Sequence, residues 1–216
     1  MQTTMAFSHS SSLSTSLVVG IDEAGRGPLA GSVFAAAVIL NSNNIIEGLM
    51  DSKKLSEKKR DSLAEIIKEN ALDWHIASAS VEEIDRINIL QATMLAMTRA
   101  WQGISTPHRQ VLIDGNQIPK QLRMELPGNL LNGQEVQAII KGDDSVQAIA
   151  AASILAKTAR DAELYALDEV YPEYGFAQHK GYGTKLHLSK IAKLGPCPIH
   201  RQSFAPIKRF LANTSS

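Results

Sequence analysis

The sequence predicts an α/β layered domain, a central sheet with helices packed against it. Three observations predict it. Short apolar runs of strand length alternate with longer segments of helical period. Three of those runs lead into acids and turn residues, in IDEAG, IDGN and IIKGDD. The strongest helical segment, 145–169, is crowded with Ala and Leu, and its small residues allow close packing on a sheet.

Taken in order, Leu17–Asp22 reads as a buried strand and Ser32–Leu40 as a second, bounded by Gly31 and NSNN. Leu55–Leu72 reads as a helix with Ser56 as N-cap and Glu57 in its first turn. Trp74–Ala79 is a strand. Ser80 and Glu83 then match a capping box, and Ile84, Ile87, Met94, Met97 and Trp101 follow on one apolar helical face. That face reads as core, not as a cofactor contact. Gln110–Ile113 is a short strand, 115–135 a loop rich in Pro, Gly and Asn, and Val136–Ile140 a further strand. After the helix at 145–169, ended by YPEYG, short helical stretches are expected around 184–194 and 206–212.

The chain of 216 residues suits one domain, placed at 17–212, whose basic helical C-terminal part starts near 174. Residues 1–16 are rich in Ser and Thr, lack Lys and Arg, and read as a disordered tail in which Met5 is a second candidate initiator. No apolar run approaches the roughly 18 residues of a membrane span. Cys197 is the single cysteine, which fits a reducing compartment, the cytoplasm. A monomer is expected, because no coiled-coil repeat is present. Residues 174–216 hold seven Lys and Arg and no acid, while the preceding residues hold fifteen Lys and Arg and all twenty-two Asp and Glu. The tail also carries His179, His187 and His200. It reads either as a solvated basic surface or as a surface for polyanions, with Lys180, Lys185, Lys190 and Arg201 as candidate phosphate contacts.

In open α/β sheets, ligands bind beyond the carboxyl ends of strands. Asp22 and Glu23 end the first strand, Asp114 ends the strand at 110–113, and Asp143 follows the strand at 136–140. Each acid alone has a structural reading. Asp before Gly is turn chemistry, and Asp143, Asp144 and Ser145 are able to cap the long helix. Recurrence at three strand ends points instead to a metal. Clustered carboxylates raise one another's pKa, and Mg²⁺ or Mn²⁺, which prefer oxygen ligands, relieve the repulsion. Two such ions roughly 4 Å apart activate a water and stabilise the leaving oxygen of a phosphodiester. Neighbouring strand residues point to opposite faces, so Asp22 and Glu23 share a site only if the strand ends or twists between them.

The loop Gly25-Arg26-Gly27 lets backbone approach a ligand without a Cβ in the way. Its N–H and C=O groups suit a sugar 2′-OH, which is both donor and acceptor. Residues 25–30 also match the dinucleotide pattern G-x-G-x-x-G/A. That motif opens a helix, whereas SVFAAAVIL reads as a strand, and two acids before the loop repel a pyrophosphate.

The blocks GIDEAGRGPLAG, DSKKLSEKKR, LIDGN, KGD, AASILAKTARD, YGFAQHKGYGT and HRQSF occur in the order and spacing of bacterial ribonuclease HII, which the chain resembles over about residues 17–210. The resemblance implies a ribonuclease-H-like fold with a central mixed sheet flanked by helices and a small helical C-terminal part. It implies hydrolysis of RNA in RNA–DNA hybrids, and incision of DNA duplexes 5′ to an embedded ribonucleotide, with 3′-OH and 5′-phosphate products. It assigns the catalytic and metal-binding carboxylates to Asp22, Glu23, Asp114 and Asp143, with Asp144 the neighbour most easily confused with the last. It assigns 2′-OH contact to Gly25, Arg26 and Gly27 and packing on the sugar beyond the scissile phosphate to Tyr182. Lys53 is a candidate phosphate contact or a solvated helix start. The alternative from another class is a noncatalytic hybrid-binding protein on the same fold, against which the full set of acids argues.

Overall fold

The computed structural model describes residues 17–125 and 135–214. The expectation for residues 1–16 lies outside that range. Five strands, β1 (Val18–Ala24), β2 (Val33–Ile39), β3 (Asp73–Ala79), β4 (Gln110–Asp114) and β5 (Glu135–Ile139), form one mixed sheet in the order β3-β2-β1-β4-β5. β1, β2 and β3 pair antiparallel, whereas β4 runs parallel to both β1 and β5. The carboxyl ends of β1, β4 and β5 therefore lie side by side.

Side-chain alternation divides the core into two layers. Val19 and Ile21 of β1, with Val33, Ala35, Ala37 and Ile39 of β2, pack against α2 (Val81–Gln102). Ala36 and Val38 face the other way, toward α1 (Glu57–Asn70) and α5 (Gln147–Val170). On that face α5 lies almost on the strand. A Cβ at Gly20 would sit 2.2 Å from the carbonyl carbon of Ala148 and 2.4 Å from the Ile149 nitrogen. Glycine at 20, and alanines along β2 and α5, thus allow the approach that sets α5 beside the strand ends.

The caps follow their side chains. Ser56 accepts the Lys59 N–H, and Ser80 and Glu83 make the reciprocal capping box. Four expectations are corrected. β1 does not stop at Asp22 but stays paired with β2 through Ala24. The helix after Ser80 breaks at Asn88, at φ 67°, where the Asn88 side chain accepts the Gln91 N–H and caps the second half. Within 115–135, Lys120–Glu125 forms a helix, α3, anchored by the buried Leu122. Its residues are good helix formers hidden by flanking Pro and Gly. Finally, Asp143, Asp144 and Ser145 do not cap α5. They lie in a separate turn, α4 (Gly142–Ser145), and Val146 stands at the α5 N-cap without a side-chain bond.

The C-terminal part holds α6 (Phe176–His179), α7 (Lys185–Leu194) and α8 (Ala205–Thr214). Its three histidines are interior, not basic surface. His179 and His187 stack with ring centroids 4.1 Å apart, and His187 Nε2 lies 3.0 Å from His200 Nε2. Burial lowers the pKa of His179 and brings both His187 and His200 down to about 4, so all three are neutral near pH 7.

Candidate active site

Asp22 shares the α5 side of β1 with Gly20, Asp114 is the last residue of the parallel neighbour β4, and Asp143 sits in α4 just beyond β5. Carboxylate oxygens of these three residues lie within 4.8 Å of one another. Small bonds fix the group. The Gly142 N–H donates to Asp114 Oδ1 at 2.8 Å, and the Glu23 N–H donates to Asp22 Oδ1 at 2.7 Å. The Ser153 hydroxyl bonds Asp22, and its oxygen lies 2.9 Å from that of Ser52 in a buried pair. Asp144 points elsewhere and pairs with Lys54, so Asp143 is the residue that joins the group.

The electrostatics are those of an acid cluster short of positive charge. Burial, then the charges of Glu23 and Asp114, hold the Asp22 carboxyl well above the usual range. Burial and the Asp114 charge also raise Asp143, with Lys53 as a partial counterweight. Burial would lower the Lys53 ammonium, but Asp51, Asp22, Asp143 and Asp114 outweigh it and the pKa rises. Hard carboxylate oxygens at this spacing, with no His or Cys among them, fit a divalent cation of the Mg²⁺ or Mn²⁺ type. The three aspartates are an acidic metal-binding triad.

Glu23 stands beside the triad, not within the close group. The strand continues through it, so it takes the alternate register from Asp22, and its carboxylate pairs with Arg26 at 3.2 Å. It nonetheless contributes the larger of the two charge effects on Asp22. A cavity of about 340 Å³ opens next to the triad, lined by Glu23, Gly25, Arg26, Gly27, Lys53 and Tyr182 together with Ser153 and Lys157. The residues singled out for ribose contact, Gly25, Arg26, Gly27 and Tyr182, thus share one wall with Lys53, while the basic residues of the tail lie outside it. Tyr182 is 46% exposed, which leaves its ring open for stacking. Ser52, Ser153 and Lys157 were not anticipated. The signal was the i, i+4 spacing of Ser153 and Lys157, which puts both on one face of α5.

Two of the four basic tail residues are not surface phosphate contacts. Arg201 is fully buried and is spent on backbone carbonyls of the loop after β1. Lys180 lies over the Tyr165 ring at 3.6 Å, donates to the Ala177 carbonyl and faces Glu57. Lys185 is exposed and Lys190 half-buried.

Parallel strands that deliver acids to one edge of a mixed sheet, under a long helix that bonds one of those acids, define a ribonuclease-H-like enzyme with a carboxylate metal centre. Comparison with known proteins narrows this class. The ribonuclease HII family profile matches residues 19–207. The chain is 59% identical to the ribonuclease HII of Chromobacterium violaceum over 196 residues, covering 91% of this chain and 94% of that one. It is 56% identical to that of Neisseria meningitidis serogroup B, covering 91% and 96%. The crystal structure of ribonuclease H2 from Pyrococcus horikoshii superposes with a TM-score of 0.75 at 25% identity, covering 93% and 99%. The chain belongs to the ribonuclease HII family and is an endoribonuclease of RNA–DNA hybrids. The dinucleotide reading of 25–30 falls with this result, since the loop opens strand β2 and not a helix.

Proposed function

We propose that the enzyme, besides cutting the RNA strand of hybrids, incises duplex DNA 5′ to a single embedded ribonucleotide and leaves 3′-OH and 5′-phosphate ends. The observation that carries this reading is the shared cavity, which puts a loop able to meet a 2′-OH with bare backbone next to the aspartate triad. Asp22, Asp114 and Asp143, with Glu23 at their margin, hold two Mn²⁺ or Mg²⁺ ions. Those ions supply activation of the attacking water and neutralisation of charge on the departing 3′ oxygen.

The chain's own residues do the rest. Ser153, bonded to Asp22 and close to Ser52, keeps that carboxylate turned toward the triad. Gly25, Arg26 and Gly27 present backbone to the ribose, and Tyr182 packs on the sugar beyond the scissile phosphate. Lys53 lines the same cavity and meets phosphate oxygens there, while Lys157 beside it is paired with Asp161. Lys185 and Lys190 contact the duplex further out, so affinity falls as salt rises. The enzyme works as a monomer in the cytoplasm, in keeping with its single half-buried thiol.

The test maps products from an end-labelled DNA duplex with one ribonucleotide, beside the same duplex in DNA alone. Expected is one cut, immediately 5′ to the ribonucleotide, in the first duplex only. A cut on the 3′ side, or none in that duplex while a long hybrid is still cleaved, would contradict the reading.

A further inference from the structure

The loop after β1 is held by the far end of the chain. A guanidinium has five N–H donors, and Arg201 places all five on carbonyls of one loop. Nε donates to Gly31 at 2.9 Å, Nη1 to Arg26 at 3.0 Å and Pro28 at 2.7 Å, and Nη2 to Gly25 at 2.6 Å and Ser32 at 3.1 Å. The Arg201 backbone N–H adds a bond to the Leu29 carbonyl at 2.8 Å. At the loop's far end, Glu163 accepts the Ser32 N–H at 2.9 Å. These bonds lie outside the triad and leave its metal-binding oxygens untouched, but they hold two residues of the cavity wall, Gly25 and Arg26, by their carbonyls.

Its consequence follows from peptide geometry. The chain has no cis peptide among the described residues, and across a trans peptide plane the N–H points opposite to the C=O. Because the carbonyls of Gly25 and Arg26 turn inward to Arg201, the N–H groups of Arg26 and Gly27 turn away from it. Gly25 adopts φ +98°, a conformation costly for any residue with a Cβ. Besides the Leu29 and Gly31 N–H bonds to Gly181 and Ile199 and the Arg160 bond to Ala30, the orientation of residues 25 and 26 is held by the buried guanidinium that their carbonyls meet. We infer that Arg201, assisted by Glu163, is a positioning residue for ribose recognition. It fixes the direction of the Arg26 and Gly27 amides and so sets the preference for a ribonucleotide over a deoxyribonucleotide. The inference rests on the proposal that Gly25–Gly27 meets the 2′-OH.

The test measures binding of two duplexes, one with a single ribonucleotide and one all DNA, by fluorescence anisotropy in Ca²⁺. The readout is the ratio of the two affinities, which a general loss of fold would not change selectively. Arg201→Lys, which retains the charge but loses the fork, is compared with Gly25→Ala, which disturbs the loop directly. The expected result is a selectivity at least tenfold lower in both variants, with the all-DNA affinity of Arg201→Lys within twofold of wild type. Unchanged selectivity in Arg201→Lys with a loss in Gly25→Ala would overturn the positioning role alone. Unchanged selectivity in both would overturn the 2′-OH reading beneath it as well. If Arg201→Lys does not fold, Glu163→Ala decides. A threefold or greater loss of selectivity supports the role, and no loss overturns it.

Discussion

At the residue scale, the site is a set of acids whose neighbours decide their use. Asp22 is buried, repelled by Glu23 and Asp114, and relieved by the Ser153 hydroxyl and the Glu23 amide, with the Lys53 ammonium nearby. Ser153 is thus an outer partner of the triad, and loss of such a partner costs about 10–100-fold in metal affinity. Ser153→Ala should weaken Mn²⁺ binding by about that factor with little change in fold, and titration calorimetry on the two proteins checks it. Affinity equal to wild type would mean that the hydroxyl does not orient the carboxylate. The acids themselves were legible in the sequence because Asp22, Asp114 and Asp143 all stand at strand ends. Their grouping was less so. Nothing in IDEAG says that β1 stays paired through Ala24, which gives Glu23 the alternate register and sets it beside the triad instead of inside it. Arg201 was read as a phosphate contact because a basic, acid-free tail looks like surface. Only the folded chain shows that its partners are carbonyls roughly 170 residues away.

At the element scale, the close contact of α5 with β1 brings Ser153 and Lys157 to the cavity. That contact depends on Gly20, where a Cβ would meet the α5 backbone and not a movable side chain. Overpacking of this kind costs about 1–3 kcal/mol, and backbone that cannot yield puts the cost at the upper end. Gly20→Ala should lower unfolding free energy by about that amount in urea melts and reduce activity by displacing Ser153. A stability equal to wild type would show that α5 moves without penalty. Strands and long helices followed the apolar pattern to within a residue or two at most boundaries. The missed elements have local physical causes. The break at Asn88 is made by a side-chain cap inside an apolar face that remains periodic across it. Helix α3 is short, and its one buried anchor, Leu122, is invisible to periodicity.

At the scale of the whole molecule, the C-terminal part scaffolds the catalytic layer from a core that includes three neutral imidazoles. Hydrogen bonding fixes their tautomers. His187 Nδ1 donates to the Tyr182 carbonyl, its Nε2 accepts from His200 Nε2, and His200 Nδ1 accepts the Cys197 N–H. The folded pKa of about 4 for His187 and His200 lies below the unfolded value of 6.5. Their neutral forms thus favour the folded state at pH above 6.5, and that contribution is lost as pH falls from 6.5 through about 4. Asp22 and Asp143, with raised values, act with the opposite sign and make the fold less stable as they ionise. Glu83, lowered to about 2, loses its contribution only below 4.5. Thermal melts with metal chelated should therefore show stability declining between pH 6.5 and 4.5, and substitution of His187 and His200 by Gln should flatten that decline. An unchanged slope in the substituted protein would assign the decline to other groups.

The central claim is that the aspartate triad holds the metal on which cleavage depends. The most direct measurement is single-turnover cleavage of an RNA–DNA hybrid by wild type and Asp22→Asn, each with Mn²⁺, with Mg²⁺ and with chelator. The predicted result is cleavage by wild type with either metal, none with chelator, and a rate in Asp22→Asn lower by at least the ~100-fold upper range for an outer-shell partner. Cleavage that survives the chelator, or an Asp22→Asn enzyme as fast as wild type, would contradict it.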